Sequence, residues 1–167
     1  MDIVADARLT LAVADAGGFG FLGGGYGDEA WLRRELADLA GAARERKLPF
    51  GVGFITWSLA RNPDLLDIAL EQGASAIWLS FGDPAPFAPQ IKAAGAKLVC
   101  QVQTEAMARA CLDAGADILV AQGAEAGGHG VSRGTLTLVP AVADLAGPHV
   151  PVAAGGIHDI PNAADAY

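Results

Sequence analysis

Cysteine is scarce in this 167-residue sequence: only Cys100 and Cys111 occur. Cys100 falls in an apolar strand-like run and Cys111 in a helix-like one. Both therefore read as buried, reduced thiols of a cytoplasmic protein, with no disulfide framework or catalytic pair expected. Basic residues are few as well. Eleven Lys and Arg face nineteen Asp and Glu, for a formal net charge of −8. A nucleic-acid partner is not expected on that balance, because neutralising phosphates needs clustered cations. The densest basic run, RERK at 44–47, closes a helix, where cations suit the dipole. No apolar run reaches the ~18 residues of a membrane span, so no membrane partner is expected. The start, MDIVADARLT, has neither the basic head nor the small-residue cleavage site of a secretory leader. No Cys/His/Asp cluster has metal-ligand spacing, and no Ser/His/Asp set is evident.

What is abundant is apolar residues, at 52% of the chain, and glycine, at 22 residues. That composition builds a core and excludes disorder. The glycines stand at element ends, with no collagen or linker pattern. A unit recurs: an amphipathic segment closes on an Ala-Gly pair or similar, a short apolar strand follows, then a polar or Gly-rich loop. The closures are DAGG (15–18), EQGAS (71–75), AAGAK (93–97), DAGAD (113–117) and LAGPH (145–149), each placing a Gly where a helix end needs positive φ. The strands that follow are 18–24, 49–57, 75–81, 97–102, 117–123 and 150–156. They are continuous apolar runs, as in parallel strands covered on both faces. Helices are predicted at 28–46, 61–72, 85–94, 104–114 and 137–146, with Thr104 as an N-cap.

This βα array predicts an α/β fold of the TIM-type (β/α)8 barrel kind, with 1–167 as a single partial barrel domain. A dinucleotide-binding frame is absent, because no GxGxxG opens a helix with an acidic residue some 20 positions later. Six strands are counted of a barrel's eight. VADARLTLAVADAG (4–17) reads as a helix with no strand before it, and HDIPNAADAY (158–167) as a helix that is cut off as it begins. The first and last strands are thus expected to be missing. The two open edges call for cover, which a homo-oligomer would supply.

In such barrels chemistry sits at the C-terminal ends of the strands. There the sequence puts Gly23, Gly24 and Gly25, then Thr56 and Trp57, Ser80 and Phe81, Gln101 and Gln103, Gln122 with the loop to His129, and Gly155 and Gly156. Few of these are charged. The set suits a flat aromatic cofactor bearing a phosphate: glycine allows close backbone approach, neutral glutamines bond ring carbonyls and nitrogens, and AAGGI (153–157) suits the phosphate. Gly23, Gly24, Gln101, Gln122, Gly127, Gly128, Gly155 and Gly156 are the candidate cofactor contacts. His129 is the candidate proton acceptor, as an imidazole in a Gly-rich loop at the catalytic end. Glu125 is its rival and reads as a loop carboxylate accepting backbone N–H groups. His149 falls in a turn, and His158 follows the phosphate-like loop.

AGGFGFLGGGY (16–26), DILVAQGAEAGGHG (117–130) and PVAAGGI (151–157) resemble the nitronate monooxygenase family, formerly 2-nitropropane dioxygenases, over nearly the whole chain. The resemblance implies an FMN-dependent β/α-barrel enzyme. It implies that His129 is the catalytic His, which takes the α-proton of a neutral nitroalkane or assists a bound nitronate. Gln122 and Gly127 match flavin contacts, and Gly155 and Gly156 match the loop that holds the FMN phosphate. The implied reaction uses O₂ and yields a carbonyl compound and nitrite. Gly53 stands where many members carry an Asn near the flavin. The family's first strand with its Pro-Met turn, and its last strand with a Gly-Thr phosphate contact, are not found. The same motifs also suit an FMN-dependent NAD(P)H reductase of an enoyl thioester or a quinone. A third reading is a truncated fragment with no activity of its own.

Overall fold

In a computed structural model the described residues are 4–130 and 132–155. They fall into two compact units, Met1–Leu98 and Val99–Tyr167.

The first unit opens with α1 (Ala7–Asp15) and β1 (Gly20–Gly23), followed by α2 (Glu29–Arg46) and β2 (Phe50–Ile55). A short α3 (Thr56–Leu59), then α4 (Asp64–Glu71), β3 (Ala76–Ser80) and α5 (Ala88–Ala93) complete it, up to the start of β4 (Lys97–Val102). β2 lies between β1 and β3, both pairings being parallel, with Phe21 opposite Gly51 and Val52 opposite Ile77. Every residue of β2 except Ile55 is buried, as a parallel strand covered on both faces requires. Leu22, Val52 and Ile77 are fully buried on the strands, as are Leu32 and Leu36 on α2 and Leu66 on α4. Each such side chain contributes roughly 1.5–3 kcal/mol through burial.

The second unit holds the rest of β4, then α6 (Glu105–Asp113), β5 (Ile118–Gln122), α7 (Thr135–Ala146), a 3₁₀ turn at Gly147–His149 and β6 (Val152–Gly155). β5 runs parallel to both neighbours, with Gln101 opposite Val120, and Gln122 opposite Gly155. The α/β class expected from the sequence holds. Among the described residues six strands alternate with helices, fewer than the eight of a closed barrel. The N-terminal stretch is helical, as expected.

The helix ends follow the sequence signals closely. Gly17, Gly73, Gly95, Gly115 and Gly147 all have positive φ. Asp28 caps α2 by accepting from the Trp31 amide, and Thr104 caps α6 by accepting from the Met107 amide. α2 ends differently: Lys47, the last residue of the RERK run, takes the left-handed conformation at φ 57°.

Three boundaries differ from expectation. The helix expected at 61–72 runs only from Asp64 to Glu71, and an unexpected short helix, Thr56–Leu59, stands before it at the end of the expected strand. Pro63 disfavours helical backbone at Asn62, so the longer helix starts only after it. Thr56 and Trp57, expected in a strand, therefore lie in α3. The helix expected at 85–94 begins at Ala88, behind Pro84 and Pro86. α7 begins two residues before the expected 137, at Thr135, for a reason found in the site.

Candidate active site

Three glutamines meet in the second unit. Gln101 lies near the end of β4, Gln103 just after it, and Gln122 ends β5. The Gln122 carbonyl oxygen accepts from the side-chain amides of Gln101 and of Gln103, the latter at 2.8 Å. Gln122 in turn donates to the Gly127 carbonyl at 3.3 Å. Gln103 donates a second bond, to the His129 carbonyl, at 2.9 Å. Gln103 and Gln122 are buried, and Gln101 is half-buried. Two donors converging on one oxygen settle which way the Gln122 amide faces, because a flipped amide would set N–H against N–H.

The loop from Gly123 to Gly134 carries His129 at its exposed tip. It is pinned at its base. The Ala124 amide donates to the Arg133 carbonyl at 2.8 Å. Arg133 donates to Glu105 at 2.8 Å and to the Thr137 carbonyl at 2.9 Å. Glu125 accepts from both the amide and the hydroxyl of Thr135, each at 2.7 Å. Glu125 is thus a carboxylate that accepts backbone N–H, as the sequence suggested, and it caps α7 from outside the helix. The two Thr135 bonds, that from the hydroxyl first, hold its carboxyl below the ordinary carboxylate range.

A lowered carboxyl pKa means that the folded protein favours the ionised form. The contact is at full strength above the ordinary carboxylate pKa and is lost as pH falls through the lowered one. Acidification should therefore lower the protection of the 135–138 amides, measured against their intrinsic exchange rates, before the rest of the unit responds, and Glu125→Gln should remove that acid step. Superimposable pH profiles for the two proteins would contradict this.

The predicted glycines sort by what surrounds them. A Cβ at Gly127 would meet open space, and Gly128 has φ +83°. Gly155 lies opposite Gln122, and a Cβ there would come within 3.2 Å of the Gln122 Cα. The second unit thus brings together Gln101, Gln122, Gly127, His129 and Gly155, with Gly128 in the same loop. Gly156 and His158 lie outside the described residues. Gly23 and Gly24 belong to the first unit, at the end of β1 and just after it. A Cβ at Gly24 would strike the Phe54 ring, so packing already accounts for that glycine.

Sequence reasoning missed the Arg133–Glu105 pair and Thr135. The only local hint was an Arg-Gly-Thr run before an apolar helix. Cys100 and Cys111 are both buried, and a hydrogen bond between them, with burial, pushes the Cys100 thiol well up and keeps it protonated. Among the described residues no group of three or more His, Cys, Asp or Glu could hold a metal ion. No helix among them is long and apolar enough to cross a membrane. A cleft of about 370 Å³ beside α7, lined by Val139, Ala143 and His149, includes none of the glutamines.

The profile of the nitronate monooxygenase family matches residues 58–166. A nitronate monooxygenase of Metarhizium robertsii, npaC, is 35% identical over 95% of this chain and 50% of its own length. The (3aS,4S,5R,7aS)-5-hydroxy-7a-methyl-1-oxo-octahydro-1H-indene-4-carboxyl-CoA dehydrogenase of Mycobacterium tuberculosis is 34% identical over 95% of this chain and 44% of its own. The structure of FabK from Thermotoga maritima superimposes with a TM-score of 0.87 at 31% identity, over 99% of this chain and 52% of FabK. The chain spans about half the length of the curated relatives it matches.

Proposed function

The chain belongs to the nitronate monooxygenase family, and from that premise we propose that it carries the flavin- and substrate-facing part of an FMN-dependent oxidoreductase that converts alkyl nitronates and nitroalkanes, with O₂, to a carbonyl compound and nitrite. The observation that supports this most directly is the glutamine cluster fastened to the His129 loop.

The residues present suit FMN. The donor set is neutral and made of amides, as a ring edge of carbonyls and nitrogens asks. Gln122 has a second amide hydrogen beyond the one given to Gly127, and Gln101 has donor and acceptor capacity beyond its one bond. Gly127 leaves open space where any other residue would put a side chain. Gln101 and Gln122 would hold the ring edge, Gly127 and Gly128 would let the loop backbone approach it, and the backbone at Gly155 and Gly156 would hold the phosphate. When bound, FMN supplies the redox chemistry that a protein side chain cannot. His129 takes the α-proton of a neutral nitroalkane at its imidazole, and the pinned loop keeps that imidazole in place for each turnover.

The test is nitrite release. The FMN-loaded protein is mixed with a short alkyl nitronate in air, and separately with NAD(P)H without oxygen. Nitrite at turnover rates supports the reading. Rapid bleaching of the flavin by NAD(P)H with no nitrite overturns it in favour of a second reading, a flavin-dependent oxidoreductase of acyl thioesters. The 34% identity to a carboxyl-CoA dehydrogenase is what favours that second reading.

A further inference from the structure

We infer that Gln103 is a positioning residue, which sets both the amide orientation of Gln122 and the seat of the His129 loop without itself donating to a ligand. Its side-chain nitrogen carries two hydrogens, and the structure accounts for both. One goes to the Gln122 carbonyl oxygen at 2.8 Å, and the other to the His129 carbonyl at 2.9 Å. With its donors used and 6% of its surface exposed, Gln103 has no N–H left to offer a ligand. The three glutamines thus differ in task although their chemistry is the same. Gln101 and Gln122 keep hydrogen-bonding capacity, whereas both donors of Gln103 go to protein carbonyls.

The placement explains how one residue can act on two groups. Gln103 stands between the end of β4 and the Thr104 cap of α6, so its backbone is fixed on both sides. From there it reaches the end of β5 and the loop tip. Remove its donors and the Gln122 oxygen keeps only Gln101, while the His129 carbonyl loses a bond that holds the loop tip down. The loop tip then keeps only its other anchors and opens to water more often. The active-site role of His129 rests on the function proposed above, but the mechanical role of Gln103 does not, and its test needs neither flavin nor substrate.

The test uses Gln103→Leu and Gln103→Glu in the full chain. The first removes both donors at similar size; the second keeps the shape and, when ionised, offers only acceptors. Two readouts are taken by NMR: amide exchange across 124–130, and the signals of the Gln122 side-chain amide and the His129 ring. The expected result for both variants is exchange about tenfold faster in 124–130, shifted Gln122 and His129 signals, and unchanged exchange in β5. Should Gln103→Leu lose its fold, Gln103→Glu decides by the same readouts. A folded variant with native exchange in 124–130 and native Gln122 and His129 signals overturns the inference. Loss of nitrite release with these readouts unchanged would leave Gln103 without a positioning role, while absence of nitrite release by the wild type would count against the proposed function alone.

Discussion

His129→Ala is expected to lower turnover of neutral nitroalkanes by about 10²–10⁴-fold, the usual contribution of a positioned general base. FMN affinity should stay within about twofold. The reason lies in how the loop is held. Its anchors are the Ala124–Arg133 backbone bond, the Glu125 bonds to Thr135, the Arg133–Glu105 pair and the bond from Gln103 to the His129 carbonyl. None of these four uses the imidazole, so each of them survives truncation at Cβ. The variant also separates two steps. A preformed nitronate has already lost its α-proton, so its turnover should fall much less than that of the parent nitroalkane. Steady-state rates with the two substrates at equal FMN saturation provide the check. Equal rates for wild type and variant on the neutral nitroalkane would remove His129 from proton transfer.

The largest structural effect is expected at Gly123, where β5 gives way to the loop. A Cβ there would lie 2.5 Å from the Thr135 Cα and closer still to its amide nitrogen and hydroxyl. Two of those three atoms are backbone, and Thr135 is itself fixed by Glu125. Neither side can yield by turning a side chain. Gly123→Ala should therefore cost about 3 kcal/mol, the upper range for overpacking, and lower the melting temperature by roughly 10 °C. Gly127→Ala is the matched comparison. It adds the same methyl group where nothing lies within 4 Å and no positive φ is recorded. That variant should melt like the wild type while binding FMN more weakly. Thermal unfolding followed by circular dichroism tests the pair. Equal melting for Gly123→Ala and wild type would mean that β5 and α7 do not pack as closely as described.

Local signals in the sequence carried much of the fold. The Ala-Gly closures ended their helices because a left-handed residue is a one-residue decision, and the caps at Asp28 and Thr104 act within three positions. The breaks at Pro63 and at Pro84 and Pro86 were equally local, but the apolar periodicity runs straight through them. The start of α7 was not legible in this way, because its cap, Glu125, comes from a loop ten residues upstream. The site was legible in kind but not in connection. Strand-end position marked Gln101, Gln103 and Gln122 as neighbours of the reaction. That the first two donate to the third depends on the pairing of β4 with β5, which sets Gln101 opposite Val120. No spacing along the chain reveals that register. The candidate glycines were read together as cofactor-facing, yet Gly24 is required by the protein's own atoms, and Gly127 faces open space.

On the function proposed above, the Gln122 amide and the loop it fastens form a flavin site. The most direct measurement is a fluorescence titration of FMN with the 167-residue chain, run beside Gln122→Leu. Saturable one-to-one binding by the wild-type chain is expected, weakened about tenfold or more in the variant. Absence of saturable binding by the wild-type chain, or two titrations that superimpose, would contradict it.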